Sequence, residues 1–201
     1  KCGIAQWPDN IRRMWAANYA TVTFMDAQLG KILDELDRLG LADTTAIVFT
    51  SDHGYHLGEH TFWQKSDLHE EVTRVPLIIS VPGMKPGRTE AIAELVDIYP
   101  TVCEAMQLPV PETVQGKSLL PVLKDPAASV RDAALSIQGK NHALRSARWA
   151  YMRYADDSEE LYDMDKDPGQ FVNLALSEKP PEALAEMRKN SQRGLRSRLG
   201  R

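Results

Sequence analysis

The sequence holds only two cysteines, Cys2 and Cys103. Two thiols make no disulfide framework, so no small cross-linked scaffold is built on them. Cys103 lies in an apolar helical pattern and reads as a small core residue. Long hydrophobic runs are also missing. None approaches the roughly 18 to 20 residues that a membrane helix needs. A strong charge of one sign is absent too: the formal net charge is −4, so nothing global marks nucleic acid or an anionic membrane as a partner. The first residues, "KCGIAQWPDN", lack an initiator Met, a basic n-region and an apolar h-region. They read as the interior of a longer chain. A fragment is therefore expected, with any targeting signal upstream of Lys1.

What is present is ordinary globular material. The 201 residues are 43% hydrophobic and 26% charged, enough for one sizeable core, or one core plus a small subdomain. Asp9 or Asn10 can cap a helix running to about Leu39, with Pro8 just before it and Gly40 as its C-terminal stop. Ile11, Met14, Trp15, Val22, Met25, Leu29, Ile32, Leu33, Leu36 and Leu39 recur in steps of three and four and predict one buried stripe. Ala46–Phe49 predicts a short strand, and "VPLIISVPG" a second one over Leu77–Val81. Both are apolar on both faces, as in a parallel sheet with the helix on one face. Asp97 is placed to cap a helix with Pro100 in its first turn. After Pro126, "AALSIQ", "HALRSARWAYMRY" and "EELYDM" predict a separate antiparallel sheet, and "PPEALAEMRKNSQRGLRSRL" a terminal helix against it.

Chemistry concentrates in "FTSDHGYHLGEHTFWQK", residues 49–65. In open α/β sheets, ligands sit at the carboxyl ends of strands, and Asp52 and His53 occupy that place. A carboxylate and an imidazole there can ligate a divalent cation. They can equally cap a turn and make a structural hydrogen bond. His56-Leu57-Gly58-Glu59-His60 matches H-x-x-E-H, a zinc-protease signature. That motif needs a helix, which Gly54 and Gly58 disfavour at about 1 kcal/mol each. Lys65 follows Phe62-Trp63, which can pack the loop down and aim the ammonium inward, toward a tetrahedral anion.

The joined stretch "TSDHGYHLGEHTFWQKSDLHEEVTRVPLIISVPG" resembles the C-terminal half of the sulfatase family, in the alkaline phosphatase superfamily. The pattern is closest to the iduronate sulfatase branch and its bacterial relatives. "NYATVTFMDAQLGKILDELDRLGLADTTAIVFTSDHG", "ELVDIYPTVCEAMQLPVPETVQGKSLLPVL" and "ELYDMDKDPGQFVNLA" extend the resemblance over nearly the whole chain. It implies an alkaline phosphatase-like α/β sandwich, partial here, with residues 1–126 in the catalytic domain and 127–201 as the small sheet plus helix. It also implies a divalent cation, Ca2+ or Mg2+, with Asp52 and His53 among its ligands. Lys65 takes the place of the lysine that contacts the sulfate. His56 and His60 line the same loop, to contact substrate or to pack. The substrate class is a sulfated small molecule or sugar. The family's nucleophile is a formylglycine made in a C-x-P-x-R or S-x-P-x-R motif. Neither Cys2 nor Cys103 has that proline and arginine, nor does any serine. The family's early paired aspartates are missing as well. Those parts are expected in an N-terminal portion of the same protein, and the 201 residues alone are expected to be inactive. Phosphonate monoester hydrolases and phosphodiesterases share a similar D-H-G loop and are the rival enzyme reading. A non-catalytic binding remnant is the rival of another class.

Overall fold

The computed structural model describes residues 8–200, so Cys2 lies outside the described residues. The chain divides into two compact units, one formed by residues 8–66 with Arg74–Met84, the other by Asp67–Thr73 with residues 85–200.

The first unit opens with helix α1, Pro8–Arg38. It starts at the proline itself, whose missing N–H is harmless in a first turn. It ends beside Gly40, whose φ of 67° supplies the left-handed stop. Within it, Thr21 and Thr23 donate their hydroxyls to the carbonyls of Ala17 and Tyr19. Strand β1, Ile47–Thr50, follows. The short hairpin strands β2, His56–Leu57, and β3, Trp63–Gln64, come next. Strand β4, Leu77–Ser80, completes the unit.

Two expectations are corrected here. β1 and β4 do pair, but antiparallel, with Val48 opposite Ile79 and Phe49 opposite Ile78. The apolar run records half-burial on both sides and carries no information about direction. β4 in fact alternates, and Ile78 is 60% exposed. Second, the α1 stripe is only partly buried. Ile11, Met14, Leu29 and Leu36 are half-buried, whereas Trp15, Val22, Met25, Ile32, Leu33 and Leu39 are exposed. The helix meets β2 rather than covering the face of the β1–β4 pair.

The second unit contains α2 (Glu70–Thr73), α3 (Ile98–Ala105) and α4 (Leu120–Lys124). The strands β5 (Ala133–Gln138), β6 (Asn141–Ser146), β7 (Trp149–Arg153) and β8 (Glu159–Asp163) form the expected antiparallel sheet in the order 5-6-7-8. The period of two divides its side chains. Leu144, Tyr151 and Leu161 face one way and pack with Leu184 and Met187 of α5, Ala183–Leu199. Ala143, Ala150, Met152 and Tyr162 face the other way and pack with Leu68.

A second set of contacts ties the ends of this unit. Glu94 and Asp97 form a reciprocal cap over the turn Leu95–Asp97, which leads into α3. Arg131 pairs with Glu94 at 2.7 Å and also with Asp97. Arg198 of α5 pairs with Glu94. Asp97 Oδ1 further accepts the Lys117 N–H at 2.8 Å. The carboxylates are buried, and each is met by a cation and by backbone donors, the condition under which such burial is tolerated. Among the described residues, no helix is long and apolar enough to cross a membrane.

Candidate functional site

β1 ends at Thr50 and the chain turns at once. The Ser51 hydroxyl donates to the His53 carbonyl at 2.8 Å. The His53 N–H donates to Asp52 Oδ1 at 3.1 Å. His53 Nδ1 lies 2.7 Å from the Gly54 carbonyl. A carbonyl only accepts, so Nδ1 carries the proton and the neutral ring keeps its lone pair on Nε2. Nε2 stands 3.7 Å from Asp52 Oδ2, on a carboxylate that is 84% exposed. That separation suits adjacent ligands of one cation whose bonds run about 2.0–2.6 Å. Oδ1 thus closes the turn, and Oδ2 stays exposed beside the imidazole nitrogen.

The loop that follows is a strained hairpin. β2 and β3 pair His56 with Gln64 and Leu57 with Trp63. Between them Gly58 takes φ 120°, His60 takes 52° and Thr61 takes 64°, and Gln64 within β3 takes 72°. Non-glycine residues in that region cost about 1 kcal/mol or more each and cluster where surroundings over-determine them. Residues 56–60 thus form a strand end and a tight turn, so the helical H-x-x-E-H zinc geometry does not exist here. Glu59 instead turns back, and its Oε2 accepts the Leu57 N–H at 2.6 Å. The Leu57 carbonyl accepts the Trp15 indole N–H from α1 at 2.9 Å. His56 is fully buried. Its ring meets His60 edge-on at 5.9 Å and Phe62 at 5.8 Å, and its Nδ1 is 3.9 Å from Glu59. Lys65 follows β3 directly, exposed, one residue past the paired His56–Gln64 position. The structure thus joins Asp52 to His53, and His56 to His60.

Sequence reasoning missed Trp15 and Glu59 as hairpin supports, and it missed His69. In the second unit, His69 Nδ1 faces Asp67 at 3.2 Å and Nε2 faces Glu160 at 3.4 Å. Burial alone would push the imidazolium down. The two carboxylates outweigh it and hold His69 up at about 9. Tyr162 donates to the same Glu160 at 3.0 Å. The only sequence signal was the D-x-H spacing of Asp67 and His69, and Glu160 lies some ninety residues away.

The mixed α/β chain, with a carboxylate and an imidazole at a strand's carboxyl end and a lysine-bearing hairpin after them, belongs with the proteins of alkaline phosphatase-like fold. Within that class the chain belongs to the sulfatase family. Residues 2–108 match Sulfatase, and residues 58–196 match N-sulphoglucosamine sulphohydrolase, C-terminal. Choline-sulfatase of Rhizobium meliloti (strain 1021) is 32% identical over 180 residues, covering 86% of this chain and 35% of that protein. The structure of BT4656 in complex with its substrate D-glucosamine-2-N,6-O-disulfate superimposes with a TM-score of 0.80 at 31% identity, covering 89% of this chain and 39% of that one. Phosphonate monoester hydrolase SpPMH from Silicibacter pomeroyi gives 0.81 at 29% identity, covering 98% and 44%. The chain spans about a third of the length of the curated relatives it matches.

Proposed function

We propose that the chain is the C-terminal part of a sulfate ester hydrolase, and that its strand-end pair and hairpin form half of the active site. The observation that carries this is the Asp52–His53 pair, with Oδ2 and Nε2 3.7 Å apart, followed thirteen residues later by Lys65. Asp52 and His53 would hold a divalent cation, Ca2+ or Mg2+. That ion, when bound, supplies positive charge to the non-bridging oxygens of the ester. The Lys65 ammonium adds a second positive charge where the transition state concentrates negative charge. His56 and His60 shape the hairpin wall beside the substrate. Two ligands are too few for a hard cation that takes six to eight. The remaining acidic ligands and the formylglycine nucleophile are assigned to the N-terminal portion of the same protein. The catalytic part is taken to run to about residue 126 and the small sheet and helix from 127 to 201. A sulfated sugar or other sulfated small molecule is the substrate class, in keeping with the sugar disulfate held by BT4656.

The similarity to a phosphonate monoester hydrolase supports a second reading, the same site acting on phosphorus esters. Trp63-Gln64-Lys65, in place of a glycine-rich approach to the lysine, favours sulfate. The test is turnover of an aryl sulfate and an aryl phosphonate by the full-length protein and by the 201-residue chain. Preferential hydrolysis of the sulfate by the full-length protein alone is expected. Preference for the phosphonate would transfer the site to the second reading. Hydrolysis of neither would leave a binding remnant.

A further inference from the structure

Leu57 is held at both ends of its backbone. Its N–H goes to the Glu59 carboxylate at 2.6 Å, two residues on. Its carbonyl receives the indole N–H of Trp15 at 2.9 Å, forty-two residues back in α1. In an antiparallel pair, alternate positions turn their N–H and C=O away from the partner strand. Leu57, opposite Trp63, is such a position, and both outward groups are taken.

The grip closes on the most strained part of the chain. Four residues between 58 and 64 have positive φ, three of them not glycine. The hairpin has only two paired positions to hold that shape. The turn adds two short-range bonds, Thr61 N–H to the Gly58 carbonyl at 3.1 Å and Phe62 N–H to the Glu59 carbonyl at 2.8 Å. Glu59 thus serves twice, through its backbone carbonyl inside the turn and its side chain on Leu57. Trp15 ties the next peptide group of the same residue to a 31-residue helix. Its ring is steadied by Tyr19, with centroids 6.0 Å apart.

We propose that Trp15 and Glu59 are positioning residues for the Lys65 hairpin. They fix the two peptide groups that flank the Leu57 Cα, and through them the register that delivers Lys65 one residue past β3. The inference rests on the sulfatase reading and deepens it. It assigns the precision of the lysine to a tryptophan and a glutamate, neither of which needs to touch substrate.

Three variants of the full-length protein separate the bonds from the bulk. Trp15→Phe keeps the ring and removes the N–H. Glu59→Ala removes the acceptor. Glu59→Gln keeps an acceptor and removes the charge. Misplacing a reactive group by an ångström costs up to about a hundredfold in rate, so Trp15→Phe and Glu59→Ala should lower kcat on an aryl sulfate at least tenfold, roughly, with little change in KM. Glu59→Gln should stay within about twofold of wild type. Hydrogen exchange of the amides of residues 61–65 should quicken in the first two variants and not in the third, while melting temperatures stay close. Quickened exchange with unchanged kcat would overturn the positioning role. Unchanged exchange in Trp15→Phe and Glu59→Ala would overturn the grip itself. Equal loss in Glu59→Gln and Glu59→Ala would assign the effect to charge and overturn it as well. If the wild type hydrolyses no sulfate ester, the functional reading fails on its own, and the exchange pattern still decides whether the two residues hold the hairpin.

Discussion

Lys65 and His69 are both cations, and their surroundings give them opposite fates. Lys65 is exposed and lies outside any core. Its replacement by Ala should leave stability within about 0.5 kcal/mol. The same change should lower kcat on an aryl sulfate by about a hundredfold, the scale of one lost oxyanion-stabilising donor. Lys65→Arg should recover only part, since a planar fork does not replace a compact ammonium. Turnover and melting curves on the same preparations check this. His69 is buried between Asp67 and Glu160, and its folded pKa, about 9, lies above the ordinary 6.5. The charged form is therefore the one that folding favours. Its contribution is complete below about pH 6.5 and is lost as pH rises towards 9, up to about 3 kcal/mol. Glu160 works from the other side. Burial raises its carboxyl, but the bonds from His69 and Tyr162 outweigh that and hold it below its ordinary range. Its share is lost in acid. Urea titrations at pH 6, 7.5 and 9.5 should show stability falling across the series, and His69→Gln should flatten the slope.

At the scale of elements, close approach decides more than propensity. A Cβ built on Gly116 would lie 1.9 Å from the Val96 carbonyl oxygen and 2.6 Å from its carbon. Both atoms belong to the turn that Glu94 and Asp97 cap, and the neighbouring Lys117 N–H donates to Asp97. Backbone cannot yield there without breaking the cap. Gly116→Ala should cost about 3 kcal/mol, measured by chemical denaturation. Asp97 makes no side-chain cap bond to α3, and its Oδ2 instead reaches back to the Glu94 N–H at 2.8 Å, so the helix start was legible in the sequence and the Glu94 cap was not. The cations that neutralise it were not either, since Arg131 and Arg198 lie 34 and 104 residues from their partners. The four-stranded sheet was legible because its strands alternate and its links are short. The direction of β4 was not, because Leu-Ile-Ile reads the same in either sense. Asp52, His53 and Lys65 stood out by residue type and place. Trp15 and Glu59 did not, because each acts through the backbone of another residue, and a backbone contact leaves no mark on composition.

For the whole molecule, the first unit leaves Phe24, Ile32 and Ile78 each at least 60% exposed. Exposed apolar side chains favour association where they share a face. The 201-residue chain should therefore self-associate at micromolar concentration in sedimentation, and a longer protein carrying the N-terminal portion should not. On the proposed reading the isolated chain should also bind calcium weakly, because Asp52 and His53 would bring only two ligands to an ion that wants six or more. Titration calorimetry on wild type and Asp52→Ala should find little difference between them. Tight stoichiometric binding by the wild-type chain would count against the assignment of the other ligands elsewhere.

The pairing of Glu94 with Arg198 has a consequence in time. A ribosome adding about 5 to 20 residues per second completes the Glu94–Asp97 cap some 5 to 20 seconds before it adds Arg198, 104 residues later. The strands β5 to β8 lie between, each hydrogen-bonded to its sequence neighbour, and such local pairings form on the shortest timescales open to a sheet. The sheet is thus born first, and the clasp that joins the two ends of the unit shuts last. Shortening α5 ahead of Arg198 should therefore leave the protection of pulse-labelled amides at residues 142–152 during refolding unchanged, and lower only the final stability of the unit.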